Sequence, residues 1–292
     1  MKLITWNIQW ARGIDLAVDP ARIARVAREI DDFDVLCLQE VAVNFPGLPG
    51  SHGEDQVAAL SRALPGFSAH YGVATDVDDG RGGRSLFGNL ILSRLPVLQV
   101  YRHLLPWPAD AAVKSMQRIA VEAVLIAPQK NKSGPWLPLR VTTTHLEYYS
   151  AMQRMAQVDA LRAVHDEACD HAAAPRKAED SGQPFTPRAR PASAILTGDF
   201  NCKPDDPACL RMTKPFDRAT TPAMLDAWAL ANPDAPRQPT AGVHESSWAK
   251  EPYCCDFVFV SEDLAPRVRR VAIDAKTQAS DHQPLLIELD DR

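Results

Sequence analysis

Strand-length apolar runs in this chain stop, one after another, on a carboxylate, an amide or an imidazole. "KLITWNI" carries Asn7 near its end, "FDVLCLQE" ends on Gln39 and Glu40, and Asn89 opens "NLILS". "VTTTH" delivers a β-branched run into His145, and "AILTGDFN" ends on Asp199 and Asn201. "DFVFVS" begins on Asp256, and Ser280-Asp281-His282 precedes the last apolar run, "PLLIEL". Singly, such residues are what strand boundaries ordinarily carry, since Asn, Asp, Ser and Gly favour turns. Gathered at one edge they would form a site, because α/β proteins mount reacting groups at strand ends.

Helical patterns alternate with these strands. "DPARIARVAREID" predicts a helix with Asp19 as N-cap and Pro20 in its first turn. Ile23, Val26 and Ile30 share its inner face, and Arg22, Arg25 and Arg28 lie toward solvent. "EDQVAALSRAL" and "AMQRMAQVDALRAVHDEACDHA" have the helical period, and a short helix is expected near 223–231. Residues 173–192, rich in Pro, Ala and charge, predict a flexible surface loop, because a strand resumes directly after them. Strand signals at both termini fit one α/β (α+β) domain over residues 1–292.

Composition removes several function classes. A net charge of −5 gives no general attraction to nucleic acid or anionic membranes. No apolar run spans a bilayer. The N-terminus reads as a strand without a signal-peptide pattern, so a cytoplasmic protein is expected. The six cysteines include no C-x-x-C and are read as reduced and structural. There is no G-x-S-x-G, no P-loop and no H-E-x-x-H, and the glycines of "DDGRGGRS" at 78–85 read as a mobile loop. What remains is a set rich in oxygen ligands, suited to a hard cation such as Mg²⁺, with two histidines for proton handling or charge stabilisation.

The ordered series "TWNIQW", "LQE", "GNLILSR", "TTHL", "GDFN", "DFVFVS" and "SDHQP" resembles the endonuclease/exonuclease/phosphatase superfamily, the deoxyribonuclease-I-like fold, from residue 4 to residue 284. The resemblance implies a four-layer α/β/β/α sandwich, two mainly antiparallel sheets face to face with helices outside. It implies hydrolysis of phosphoester bonds with Mg²⁺ or Mn²⁺. By the same resemblance Glu40 is the principal metal ligand, with Asn7 and Asp281 as direct or water-mediated partners. Asp199 orients or deprotonates the attacking water, and Asn201 contacts phosphate. His282 sits at the phosphate, held in its tautomer by Asp256, and His145 is a second donor; both histidines are expected to be protonated. Asn89 supports the site or the substrate.

Two departures stand out. "THL" replaces the tyrosine motif of the abasic-site endonucleases, and no acidic partner for His145 is identifiable. The expected activity is a metal-dependent phosphodiesterase or phosphatase acting on a small or lipid-derived ester, in a chain expected to be monomeric. A nuclease is the alternative, and would need Arg81, Arg84, Arg94, Arg102, Lys114 and Arg118 to assemble one basic groove. A catalytically silent binding module is the non-enzyme alternative, and should carry a broken Glu40, Asp199 or His282 position; none is broken. The segment "HLLPWPADAAVKSM" at 103–116 either folds onto the sandwich edge or presents its apolar residues to a substrate.

Overall fold

Alternation of branched apolar residues builds twelve strands among the described residues of the computed structural model, which are 1–127, 138–174, 182–244 and 250–291. Six form one sheet: β1 (Lys2–Asn7), β2 (Val35–Val43), β3 (Ser68–Asp78), β4 (Arg84–Ser93), β11 (Val268–Ile273) and β12 (Leu285–Leu289). Their order is β11-β12-β1-β2-β4-β3. The other sheet holds β5 (Val97–Leu104), β6 (Ile119–Ile126), β7 (Pro138–His145), β8 (Ala194–Asp199), β9 (Met224–Asp226) and β10 (Asp256–Ser261). Its order is β5-β6-β7-β8-β10-β9. Within each sheet one pair is parallel, β1–β2 in the first and β7–β8 in the second, and every other pair is antiparallel.

Alternate residues of the strands meet between the sheets, where Leu3, Cys37 and Ile91 share a core with Val121, Val141, Ile195 and Val258. The outer face of the first sheet is covered by α1 (Pro20–Ile30) and α2 (Gln56–Ala63). Asp19 caps α1 by accepting from the Arg22 amide at 3.1 Å, and Ile23, Ala24 and Ala27 are buried against Ile4 and Leu36. Behind the second sheet lie α3 (Ala151–Ala173), capped by Ser150, and the one-turn α4 (Pro207–Met212). The short α5 (Ala227–Ala231) closes the inter-sheet core with Trp228. The result is the four-layer sandwich. Among the described residues no helix is long and apolar enough to cross a membrane. The six cysteines are buried free thiols. The glycines at 78–85 form the tip of the β3–β4 hairpin, where Asp79 accepts from the Arg81 and Gly83 amides.

The Pro-rich loop expected at 173–192 falls partly outside the described residues, which omit 175–181. Its far end is tied down. Arg190 is buried, donates to Glu122 Oε1 at 3.2 Å and lies over the Tyr101 ring. Arg140 donates to the other Glu122 oxygen, also at 3.2 Å. Burial pushes the Glu122 carboxyl up, but His103, Arg140 and Arg190 outweigh it and hold the group at about 2. A depressed carboxyl contributes stability above its unfolded pKa and loses it as pH falls through the folded one. Glu122→Gln should therefore cost about 3–5 kcal/mol at neutral pH, by stranding buried guanidinium charge. Urea unfolding should show the gap to wild type narrowing as pH falls from about 4.5 toward 2; a gap independent of pH would contradict this.

Candidate active site

The two parallel pairs end on the same cleft. In the first sheet the pairing of β1 with β2 runs to Asn7 opposite Gln39. Immediately afterwards β2 bulges against β4. Leu38 still pairs with Leu90, but Val41 pairs with Gly88, so Gln39 and Glu40 together face Asn89. Glu40 takes a left-handed φ of 59°, a costly conformation for a residue with a long side chain. The bulge separates the two neighbours. Gln39 is buried and donates to Thr5 Oγ1 at 3.1 Å and Thr143 Oγ1 at 2.7 Å, while Glu40 lines the cleft.

In the second sheet His145 and Asp199 are register partners at the end of β7–β8. Gly198 makes this approach possible, since its φ is 141° and a Cβ there would lie 1.9 Å from the Thr144 carbonyl oxygen. Asn201 follows in a left-handed conformation, φ 50°, which Asn tolerates better than most residues. Its amide donates to His145 Nε2 at 2.8 Å and to the Leu146 carbonyl at 2.9 Å.

Side chains stitch the halves together. Asn7 Nδ2 donates to Glu40 Oε1 at 3.1 Å and to Asp199 Oδ2 at 2.9 Å, one amide spanning both sheets. Gln9 Nε2 donates to Asp281 Oδ2 at 2.7 Å. The "SDH" turn is tied to β1 by Ser280 Oγ donating to the Asn7 carbonyl and Trp6 Nε1 donating to the His282 carbonyl. His282 Nδ1 lies 2.9 Å from Asp256 Oδ2, and its Nε2 lies 3.8 Å from Asp199 Oδ2. Thr240 Oγ1 accepts from the Cys255 and Asp256 amides, fixing the start of β10. The cleft has a volume of about 670 Å³.

The family model for the endonuclease/exonuclease/phosphatase family matches residues 4–282. The chain belongs to the endonuclease/exonuclease/phosphatase family. No curated protein matches it in sequence. Its fold is similar to that of a family protein from Beutenbergia cavernae, with TM-score 0.67 and 24% identity over 99% of this chain and 71% of that one. It is also similar to a mannosyl-6-phosphatase from Bacteroides thetaiotaomicron, with TM-score 0.65 and 16% identity over 99% of each chain. A third similar structure is a 3′ phosphatase from Neisseria bound to a product DNA hairpin, with TM-score 0.60 and 20% identity over 99% of each chain.

Within this family member the electrostatics divide the site. Burial first, and the Asp281 charge second, push the Glu40 carboxyl up to about 7. The carboxylates of Glu40 and Asp281 are hard oxygen donors carrying an excess of negative charge, and they fit a divalent cation. Asn7 turns its Nδ2 to Glu40 and gives its Oδ1 to the Gln9 amide, so it positions Glu40. Asp199, Cys255 and His282 also approach one another within 4.8 Å. They suit a hard cation poorly, because burial and the nearby Asp256 and Asp199 carboxylates hold the Cys255 thiol well above its ordinary range. Burial opposes charge on His282, but Asp256 and Asp199 outweigh it and raise the imidazole well above its usual value. Burial, then the charges of Arg118 and His282, drive His145 well below it. Against the expectation of two protonated histidines, these surroundings favour charge on His282 and oppose it on His145, even with Asp199 3.5 Å from His145 Nε2 and Glu40 3.9 Å from its Nδ1. Because Asn201 donates to His145 Nε2, the His145 proton resides on Nδ1.

Of the residues singled out from the sequence, Asn7, Glu40, His145, Asp199, Asn201, Asp256, Asp281 and His282 converge here. Asn89 stands behind them, buried, its amide donating to the Ile119 carbonyl across the sheets at 2.9 Å. The basic groove does not assemble. Arg84 pairs with Asp76, Arg94 pairs with Asp32 and Asp34 at the far end of β2, and Arg102 donates to the Tyr71 carbonyl. Arg118 alone of that group lines the cleft, held by buried Glu147 at 3.2 Å. Gln9, Thr240 and Glu147 were not singled out. Gln9 and Glu147 had a signal in lying two residues beyond Asn7 and His145; Thr240 had none. The 103–116 segment divides: Leu105 is buried, Leu104 and Trp107 are exposed, and Met116 lines the cleft.

Proposed function

We propose that this protein is a divalent-metal-dependent phosphoester hydrolase, using Mg²⁺ or Mn²⁺, whose preferred substrate is a small or lipid-derived ester rather than duplex DNA. The observation that carries the reading is the single cleft where Glu40, Asp199 and the Asp256–His282 pair meet through Asn7. Glu40 and Asp281 would hold the cation, with Asn7 positioning Glu40, and the cation would supply charge neutralisation to the ester. Asp199, raised to about 6 by burial and the Asp256 charge, has the basicity to orient or deprotonate water near neutral pH. Charged His282 donates from Nε2 to a non-bridging oxygen, with Asp256 bound at Nδ1. Neutral His145 adds a donor through Nδ1–H without adding charge, and Asn201, whose two amide hydrogens go to His145 Nε2 and the Leu146 carbonyl, holds that ring in place. Residues 1–292 act as one catalytic unit, because the site takes residues from both sheets and from both ends of the sequence.

A nuclease is the second reading, favoured by one structural neighbour that holds a DNA hairpin. Weighing against it, Arg118 is the one Lys or Arg among the described residues lining the cleft, whereas duplex binding draws on several phosphate contacts. The deciding measurement is initial rate on plasmid DNA against small phosphodiesters and phosphomonoesters, with Mg²⁺ and Mn²⁺, at low and moderate salt. Turnover of small esters, weakly affected by salt, is the expected result. Efficient plasmid nicking that falls steeply with salt, beside negligible small-ester turnover, would reverse the assignment.

A further inference from the structure

The residues that would hold the phosphate occupy only the floor of the cleft, and its walls are of another character. One wall, from the first sheet, presents Trp10, Phe45 and Phe87; the facing wall presents Met116, Tyr148 and Tyr149. These walls are built, not incidental. Gln9, Trp10 and Ala11 have φ of 46°, 45° and 60°, three consecutive left-handed residues without a glycine. Such strain persists only where surrounding structure enforces it. Here Gln56 Nε2 donates to the Trp10 carbonyl at 2.6 Å and the Trp10 indole donates to the Pro49 carbonyl at 3.0 Å. The same strained turn delivers Gln9 to Asp281 and the Trp10 ring to the wall.

The opposite wall is held as firmly. Buried Glu147 accepts the Tyr149 amide at 2.9 Å through one carboxylate oxygen and Arg118 through the other. The tyrosines meet edge to face, with centroids 4.8 Å apart, yet stay 40% and 48% exposed. Phe45 and Phe87 likewise meet edge to face. The polar groups beside these walls are Thr75 and Arg118 in the lining and Lys114, whose Nζ lies over the Tyr149 ring at 4.7 Å. An uncharged apolar group continuous with a phosphate on the floor would bury its surface there.

Resting on the phosphoesterase reading, we infer that this trough is a binding site for the alcohol part of the ester, and that the substrate is a monomeric phosphoester of an apolar, alkyl- or aryl-bearing alcohol. The test uses two homologous series, monoalkyl phosphates and methyl alkyl phosphodiesters, from methyl to octyl. Simple alkanols differ little as leaving groups, so a trend in kcat/KM along the chain reports burial and not intrinsic reactivity. The rate constant should rise about two- to fourfold per methylene until the trough is filled. Phe45→Ala and Tyr149→Ala should each lower the octyl-to-methyl ratio by about tenfold. Calorimetry with non-hydrolysable alkylphosphonates should give wild-type affinities that rise along the same series, with a negative heat-capacity change. That arm needs no variant to fold and no turnover.

Measurable methyl-ester hydrolysis with a flat chain-length profile would overturn the trough while leaving the phosphoesterase reading intact. Absence of turnover on every ester would instead remove the reading beneath it. Octyl turnover that begins only once micelles or vesicles are present would overturn a monomeric substrate in favour of a lipid surface.

Discussion

Replacing His282 by Ala, or Asp256 by Asn, is expected to lower kcat/KM by about 10²–10⁴-fold each, the range of a general acid or a strengthened charge-bearing donor. The double variant should lose little more than either single one. The reason lies in how closely the two depend on each other. Asp256 Oδ2 faces His282 Nδ1 at 2.9 Å, and its other oxygen, Oδ1, is buried without a hydrogen-bond partner. The aspartate's charge thus has the imidazolium as its principal compensation, and the imidazolium owes its charge to Asp256 and Asp199. Removing either partner discharges or misdirects the other, so the second substitution finds little left to remove. Steady-state kinetics on one small ester, with circular dichroism to check folding, decides the matter. Losses that simply multiply would show two independent residues.

Stripping divalent ions with a chelator should abolish turnover, and Mg²⁺ or Mn²⁺ should restore it. Glu40→Gln should weaken metal affinity by more than about 100-fold, beyond what loss of a supporting hydrogen bond typically costs. Burial and the neighbouring Asp281 charge raise the Glu40 carboxyl to about 7, so a cation held beside it would offset both effects. Glutamine keeps the shape at the bulge but withdraws the charge that would attract the ion. Metal titration by calorimetry separates this from a fault in chemistry, because binding and rate should fall together. Full activity after exhaustive chelation would sink the metal assignment.

Much of this site was legible because its chemistry is written where strands stop. Asn7, His145 and Asp199 are last residues of their strands, and Asp256 is the first residue of its own. The bulge that turns Glu40 was not legible, since a two-against-one register is a property of the partner strand. Nor was the downward shift of His145, which comes from burial and then from Arg118 and His282 arriving from distant segments. β5 and β11 escaped the reading because each edges its sheet, where "VLQVYRHL" and "VRRVAI" leave many residues in partial contact with solvent and blur the strand period. The wall residues Trp10, Phe45 and Tyr149 look like ordinary core or surface aromatics until folding sets them across one cleft.

The pairing of β1 with β12 sets Lys2 against Glu288 and Thr5 against Leu285. A ribosome therefore releases Asn7 and Glu40 long before the strand that must flank β1 has been made. Until about residue 289 is synthesised, β1 has one neighbour instead of two, and the "SDH" turn has no platform. Contacts that span so much sequence carry a high closure cost and form late. The cleft therefore cannot be assembled before residues 280–289 have been made, because the strand that flanks β1 and the turn that rests on it come together.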